Sequence, residues 1–504
     1  MAFGSPQWMY ASGADYYEYK IPYSCKFDAA RSTNLARTLG TPTNTDKWVF
    51  SCWVKKSEVD GAWMSILNAG LDGSGTGESD IGFNASENLI VQQYNGGYVY
   101  NYVSNAKFRD PNAWMNIVVA HDTTQATASN RVLVYVNGVL ITNWSTETNP
   151  SQNLDSASFN AASQHRIGNE RSDSREFNGY LAEMHFIDGM SFFSNTSGTA
   201  NSSFNIGTFG ETGDYGDWKP VEIEGVTYGD NGFYLDFANS AALGNDVSGE
   251  NNDWTVTNLA ASDQMLDSPT NNFCTLDRLG HQWPKRSATM TEGNLRCWDS
   301  SSDWTHAMGT MPIPNDKKIY FEVFAAGQNF YAGVALADPN AGAYSHGSRP
   351  DGGWIRGLVS AYTASDTSIT VYRATVDGTA LGSQNFTGLS NVHDGILGIA
   401  IDQGATDVDD RIRFYINGSL AADNLNPANC LNTTGEYLPI IAGGGSNLVQ
   451  VVNFGQDSSF GGLKTAQGNQ DANGIGDFYY APPSGYLALC TSNLPAVAVI
   501  PSEH

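Results

Sequence analysis

Positive charge is scarce in this chain. Its 504 residues carry 26 Lys and Arg against 52 Asp and Glu, a formal charge of −26. Phosphate backbones are held by clustered Lys and Arg, so nucleic acid is excluded as the main partner. Charged residues of both signs amount to only 15%, and no apolar stripe recurs at helical spacing. Long solvated helices and coiled-coil heptads are therefore not expected. No apolar run approaches the roughly 18 residues of a membrane span. The first residues lack the basic and apolar regions of a signal peptide, so synthesis in a cytoplasm is expected. Six cysteines are spread over the chain (Cys25, Cys52, Cys274, Cys297, Cys430 and Cys490), none in a C-x-x-C pair. That argues against a zinc ribbon and a disulfide framework, and for small buried apolar side chains. The eight His are scattered and no G-x-S-x-G elbow, Walker loop or dinucleotide fingerprint is present, which leaves no sign of a nucleophilic triad or nucleotide site.

Glycine (53) and aromatics (12%) are plentiful instead, a mixture suited to short strands and tight turns. The hairpin RVLVYVNGVL at 131–140 returns as RIRFYINGSL at 411–420. In each copy apolar residues alternate, as in a strand with one buried face, and then meet Asn-Gly, the residues of a type I′ turn. Strands are expected at 48–56, 113–122, 131–144, 179–188 and 231–237, and again at 317–325, 331–338, 396–402, 411–418, 437–443 and 449–456. The expected fold class is all-β, two antiparallel β-sandwiches. The expected divisions are an aromatic N-terminal arm (1–22), a first sandwich (23–243, with 190–230 irregular), a polar linker (244–269), a second sandwich (270–495) and a short tail (496–504).

The segments KFDAARSTNLART, KWVFSCWVKK, AWMNIVVAHDTTQATASNRVLVYVNG and GYLAEMHFIDG resemble a laminin-G-like, concanavalin A-like jelly-roll domain. KIYFEVFA, YAGVALAD, GILGIAID, RIRFYING, VVNFGQ and YAPPSGYLALCTSNLP resemble a SPRY domain. Together, and with the stretch between them, they are similar to virion proteins of tailed bacteriophages. That resemblance implies a structural protein of the virion surface: a tail fibre or receptor-binding appendage attaching to host surface carbohydrate. A capsid decoration or head-fibre protein is the alternative, and a glycan-cleaving enzyme ranks below both. Partners would be other virion proteins and a host glycan, in a homo-oligomer such as a trimer.

Fold does not fix function; the side chains a site presents do. Sugars pair apolar C–H faces with aromatic rings and hydroxyl rims with polar side chains. Tyr94, Tyr98, Tyr100 and Tyr102 lie among Gln92, Gln93, Asn95 and Asn101, and the alternation of Tyr98, Tyr100 and Tyr102 predicts one shared face. The loop at 345–357 offers His346, Arg349, Trp354 and Arg356 as a second contact surface. In the arm, Trp8, Tyr10, Tyr16 and Tyr17 could dock on a virion partner or pack on their own domain. No cofactor is required; calcium is the cation that Asp72 and Asp80, or Asp402, Asp407 and Asp409, could hold, since hard cations gather carboxylates within a loop. Glu183 and His185 share a strand face, but the E-x-D-x-x-E pattern of laminarinase-type enzymes is absent, so Glu183 is read as structural on a solvated face and the chain as non-enzymatic.

Overall fold

The computed structural model describes residues 16–494 apart from 60, 71–75, 156–157, 171–173, 280–288, 299–303, 327–329, 338–355, 376–378, 424, 426–430 and 445–448. Among the described residues there are strands and 3-10 turns and no α-helix. The chain divides into two compact units after Asn271.

The first unit is a sandwich of two eight-stranded sheets. The first sheet runs in the order Val139–Leu140, Val132–Val136, Met115–Asp122, Lys47–Lys56, Gly179–Asp188, Ser24–Phe27, Gln264–Met265, with Phe233–Leu235 also on Gly179–Asp188. The second runs Trp144–Thr148, Tyr98–Lys107, Asn88–Asn95, Thr76–Phe83, Met64–Gly70, Gln164–Ile167, Asn34–Thr38, Thr255–Thr257. Trp48, Phe50, Val119, Val134 and Phe186 from the first sheet meet Leu67, Ile81, Val91 and Ile167 from the second in one buried core. This is the face-to-face packing that period-two alternation requires.

The central strands of the first sheet do not alternate in burial. Met115–Asp122 and Gly179–Asp188 are buried at every position. Their outer face carries Val49, Val118 and Ile187, and the irregular 190–230 segment covers these with Phe192, Phe204, Phe209 and Tyr228. That segment is a third layer, which is why these strands read as continuous apolar runs.

The expected linker at 244–269 belongs to this sandwich. Thr255–Thr257 pairs with Asn34–Thr38 at the edge of the second sheet, and Gln264–Met265 with Ser24–Phe27 at the edge of the first. It is fastened by charge. Asp267 accepts from Lys55 Nζ (2.6 Å) and Trp114 Nε1 (2.9 Å), and Asp263 from Arg31 Nη1 (3.1 Å).

The second unit has a seven-stranded sheet and a six-stranded sheet. The six-stranded one runs Trp304–Met308, Tyr437–Gly444, Phe330–Leu336, Val359–Ser365, Ser368–Ala374, Ala380–Thr387. The seven-stranded one is centred on Lys318–Ala326 and Ile396–Asp402, and Ile412–Ile416 follows the latter.

The repeated hairpin is the same down to its hydrogen bonds. Asn137 and Asn417 both have positive φ (48° and 49°), as do Gly138 and Gly418 (73° and 77°), as a type I′ turn requires. Asn137 Oδ1 accepts from Asn116 N at 2.8 Å and Asn417 Oδ1 from Ile396 N at 3.0 Å. Arg131 Nε donates to Gln125 O and Arg411 Nε to Ala405 O, so each arginine ties down its own loop. A Cβ on Gly138 would strike the Trp218 ring, and one on Gly418 the Tyr480 ring.

Candidate functional site

On the second sheet of the first unit, the outward-facing register runs Asn101, Gln92, Asp80, Asn68, Arg166 across five neighbouring strands. The next row, Tyr102, Val91, Ile81, Leu67 and Ile167, faces the core. The outer row is polar yet recessed: Asn101 and Gln92 are 8% exposed, and Asn68 and Asp80 less. Asn68 Nδ2 donates to Glu78 Oε1 at 3.1 Å. Asp80 accepts from Ser65 Oγ and from Arg175 Nη1 at 3.0 Å, and burial pushes its carboxyl up to about 7 against the pull of Arg175. The Oδ1 of Asn101 is buried and has no hydrogen-bond partner among the described residues. Such an acceptor is costly unless something donates to it.

Aromatic rings stand at both ends of this face. At one end Arg175 lies 4.8 Å over the ring of Trp63, which is partly exposed. At the other, Tyr94 and Tyr98 pack edge to face at 5.4 Å, 38% and 52% exposed, flanking a turn with open space above Gly96 and Gly97. A β-bulge puts them together. Gln93 pairs with Tyr100 but Tyr94 pairs with Tyr98, so Val99 is an extra residue. The bulge reverses the alternation. Tyr98 therefore joins Tyr94 on the outer face.

Tyr100 and Tyr102 do not share that face. Both are buried in the core, and Tyr102 Oη donates to Asn149 Oδ1 at 2.8 Å. The expectation of a tyrosine stripe over 98–102 is corrected to the pair Tyr94 and Tyr98. Of the second contact loop, His346, Arg349 and Trp354 lie outside the described residues. Arg356 is exposed, and its carbonyl accepts from Leu336 N.

In the arm, Trp8 and Tyr10 also lie outside the described residues. Tyr16 packs on its own unit. Its hydroxyl donates to Asp217, its ring stacks on Tyr215 at 6.0 Å, and Lys219 Nζ sits 5.2 Å over it. Tyr17 lies edge-on to Tyr16. These two tyrosines are engaged with the chain's own surface rather than presented to a partner.

The carboxylates expected to gather calcium are dispersed. Asp72 lies outside the described residues and Asp80 is turned to Arg175 and Ser65. Asp402 pairs with Lys318 at 2.9 Å, and Asp407 caps a 3-10 turn by accepting from Asp409 N at 3.1 Å. Among the described residues no three His, Cys, Asp or Glu are grouped to hold a metal. The described carboxylates among them are not arranged to hold calcium.

Glu183 is not on a solvated face. It sits in a bulge of Gly179–Asp188 with φ of 48° and is 6% exposed. Both of its oxygens lie 2.9 Å from Tyr234 Oη. His185 Nε2 is 3.4 Å from Glu183 Oε2, and its Nδ1 is 2.8 Å from Tyr228 Oη. Tyr19 closes the cluster, 3.5 Å from Tyr234 Oη. Asp188 accepts from Thr43 N (2.6 Å), Asn44 N (3.1 Å) and Asn160 Nδ2 (2.7 Å). These are closed, bonded networks.

Sequence reasoning noticed Gln92 and Asn101 beside the tyrosines but missed Asn68, Arg166, Trp63 and Arg175. Cross-strand register brings them together, and no spacing in the sequence announces it.

Residues 30–190 match the sequence model of the concanavalin A-like lectin/glucanases superfamily. No curated protein sequence matches the chain. Among solved structures, the chain is similar to a SAP-like pentraxin from Limulus polyphemus (10% identity, TM-score 0.28, covering 42% of this chain and 94% of that one). It is similar also to the TRIM65 PSpry domain (12%, TM-score 0.26, 36% and 89%). A third is a carbohydrate-binding protein from Bacteroides ovatus described as putative in its name (11%, TM-score 0.27, 47% and 59%).

Proposed function

We propose that the first sandwich binds carbohydrate on the outer face of its second sheet, without turnover. The observation that carries this reading is the junction of an exposed edge-to-face tyrosine pair with a recessed polar row whose Asn101 carbonyl is unspent. Rings of Tyr94 and Tyr98 would take the C–H faces of a sugar, and Asn101, Gln92 and Arg166 its hydroxyls. The superfamily match over 30–190 supports the same class of ligand.

In equilibrium binding of the full chain to purified host surface polysaccharide, Tyr98→Ala is expected to weaken affinity about tenfold, the effect of losing about 1.4 kcal/mol of ring contact. Asn101→Ala should weaken it several-fold. Tyr102→Phe, in the core, should leave affinity unchanged. Equal affinity for wild type and Tyr98→Ala would remove the proposal, and release of reducing sugar would replace binding with hydrolysis.

The resemblance to tailed-phage virion proteins supports a further step: the chain is a virion surface protein, a tail fibre tip or receptor-binding appendage that uses this face on the host. Immunogold labelling of purified virions is expected to place gold at the tail. Gold over the head would make the protein a capsid decoration, and no gold on virions would end the virion reading.

A further inference from the structure

Asparagine is followed by glycine six times in the sequence, at Asn95, Asn137, Asn178, Asn231, Asn417 and Asn473. The pair is chemically unstable. Asparagine is among the thermolabile residues, and the backbone nitrogen of a following glycine can attack its side-chain carbonyl carbon because no glycine side chain stands in the way. The attack needs an amide that can turn toward the backbone, a glycine N–H not held in a hydrogen bond, and water to carry off the ammonia.

The fold withholds at least one of these from five of the six pairs. Asn137 Oδ1 accepts from Asn116 N and Asn417 Oδ1 from Ile396 N, so both repeated turns hold the amide in place. Asn178 Oδ1 accepts from Ala29 N at 2.8 Å, and its Nδ2 donates to Glu58. Asn231 is 1% exposed and bonded to both the N–H and the carbonyl of Gly40, and Gly232 N donates to Gly229 O at 3.0 Å. Asn473 Nδ2 donates to Asn493 Oδ1 at 2.8 Å, and Gly474 N to Asp471 O at 3.1 Å. Asn95 is different. It is exposed, and among the described residues neither its side chain nor Gly96 N makes a hydrogen bond. The turn is held instead by Asn95 N donating to Gly97 O at 2.9 Å, which leaves the amide able to rotate, with open space above Gly96 and Gly97.

We propose that Asn95-Gly96 is a self-modification site that ages the tyrosine end of the first unit's outer face. Gly96 N gives its proton to hydroxide and bonds to Asn95 Cγ. The Cγ–Nδ2 bond breaks, and ammonia leaves with a proton from water. The resulting five-membered imide joins side chain to backbone. Water then opens it at either carbonyl, giving aspartate or isoaspartate. The turn lies between Tyr94 and Tyr98, so both products place a carboxylate beside the exposed ring pair. Isoaspartate also inserts the side-chain methylene into the main chain, which disturbs the register that pairs Tyr94 with Tyr98. The modification is independent of the carbohydrate reading; its effect on binding rests on that reading.

The test is ageing of the full chain at neutral and mildly alkaline pH, followed by peptide mapping by mass. Asn95 is expected to convert first, and faster at the higher pH. The other five should lag about fivefold or more, the cost of first breaking a hydrogen bond worth about 1 kcal/mol. In denaturant the six rates should draw together. Aged wild type should bind the polysaccharide about tenfold more weakly than fresh wild type, as expected of Tyr98→Ala. Aged Asn95→Gln should keep the affinity of its own fresh form, because glutamine must close a larger ring. Conversion of Asn137 or Asn417 as fast as Asn95 in the folded chain would overturn the proposal. Conversion at Asn95 with unchanged affinity would uphold the modification site and reject its effect on binding. Fresh wild type that binds no polysaccharide would end the carbohydrate reading, and the mapping alone would then decide the site.

Discussion

Asp267→Ala is expected to destabilise the first unit by about 3–5 kcal/mol, the cost of stranding a buried charge. Lys55 is 1% exposed and Asp267 wholly buried, so neither can turn to water. Removing the carboxylate leaves the Lys55 ammonium, which also lies 5.5 Å over the Tyr180 ring, without its anion. It also strips Trp114 Nε1 of its acceptor. Calorimetry of the full chain should show two transitions, one per unit, with one of them lowered by roughly 6–20 °C. Asp267→Asn keeps an acceptor for Trp114 and should fall between. If residues 244–269 were a free linker, neither transition would move.

That expectation depends on a segment the sequence presents as linker. Residues 244–258 are polar and rich in Gly and Asn, and composition alone offers no reason for them to be ordered. What orders them is non-local: buried Lys26 and Lys55 and half-buried Arg31 pair with Asp263 and Asp267, which come more than 200 residues later. Local signals were read well. Both Asn-Gly turns fall where the alternation placed them, and the expected strand at 396–402 coincides with Ile396–Asp402. Period-two reasoning failed where a bulge broke the period. Val99 sends Tyr98 outward while Tyr100 stays in the core, and nothing in QQYNGGYVYNYV marks Val99 as the extra residue. Glu183 is a second instance: it sits in a bulge beside a cluster of tyrosines that come from positions 19, 228 and 234.

The two units are expected to respond to acid in opposite directions. In the first, burial lowers His121 and His165 to about 4 from an ordinary 6.5. Both stay neutral in the fold, while the unfolded chain protonates them below pH 6.5. The stability their neutrality confers is complete above 6.5 and is lost as pH falls toward 4. Asp80 opposes them. Its carboxyl, raised to about 7 by burial, holds a proton in the fold that the unfolded chain releases above about pH 4. Asp46 is raised by burial too and tempers the slope further. Two histidines against Asp80 leave about one proton taken up on unfolding, so the first unit gains at most about 1.4 kcal/mol per pH unit between 4 and 6.5. In the second unit Glu322 is wholly buried beneath Tyr479 N and Tyr480 N, and burial raises it to about 7. This unit releases a proton on unfolding and should lose about the same amount per pH unit between about 4.5 and 7. From pH 6.5 to 4.5 the first transition should therefore fall by up to roughly 10 °C while the second rises. The transition that Asp267→Ala lowers identifies the first unit. Glu322→Gln should flatten the response of the second unit alone, and Asp80→Asn should steepen that of the first. Transitions that move together with pH in wild type would show that these buried groups do not govern the response.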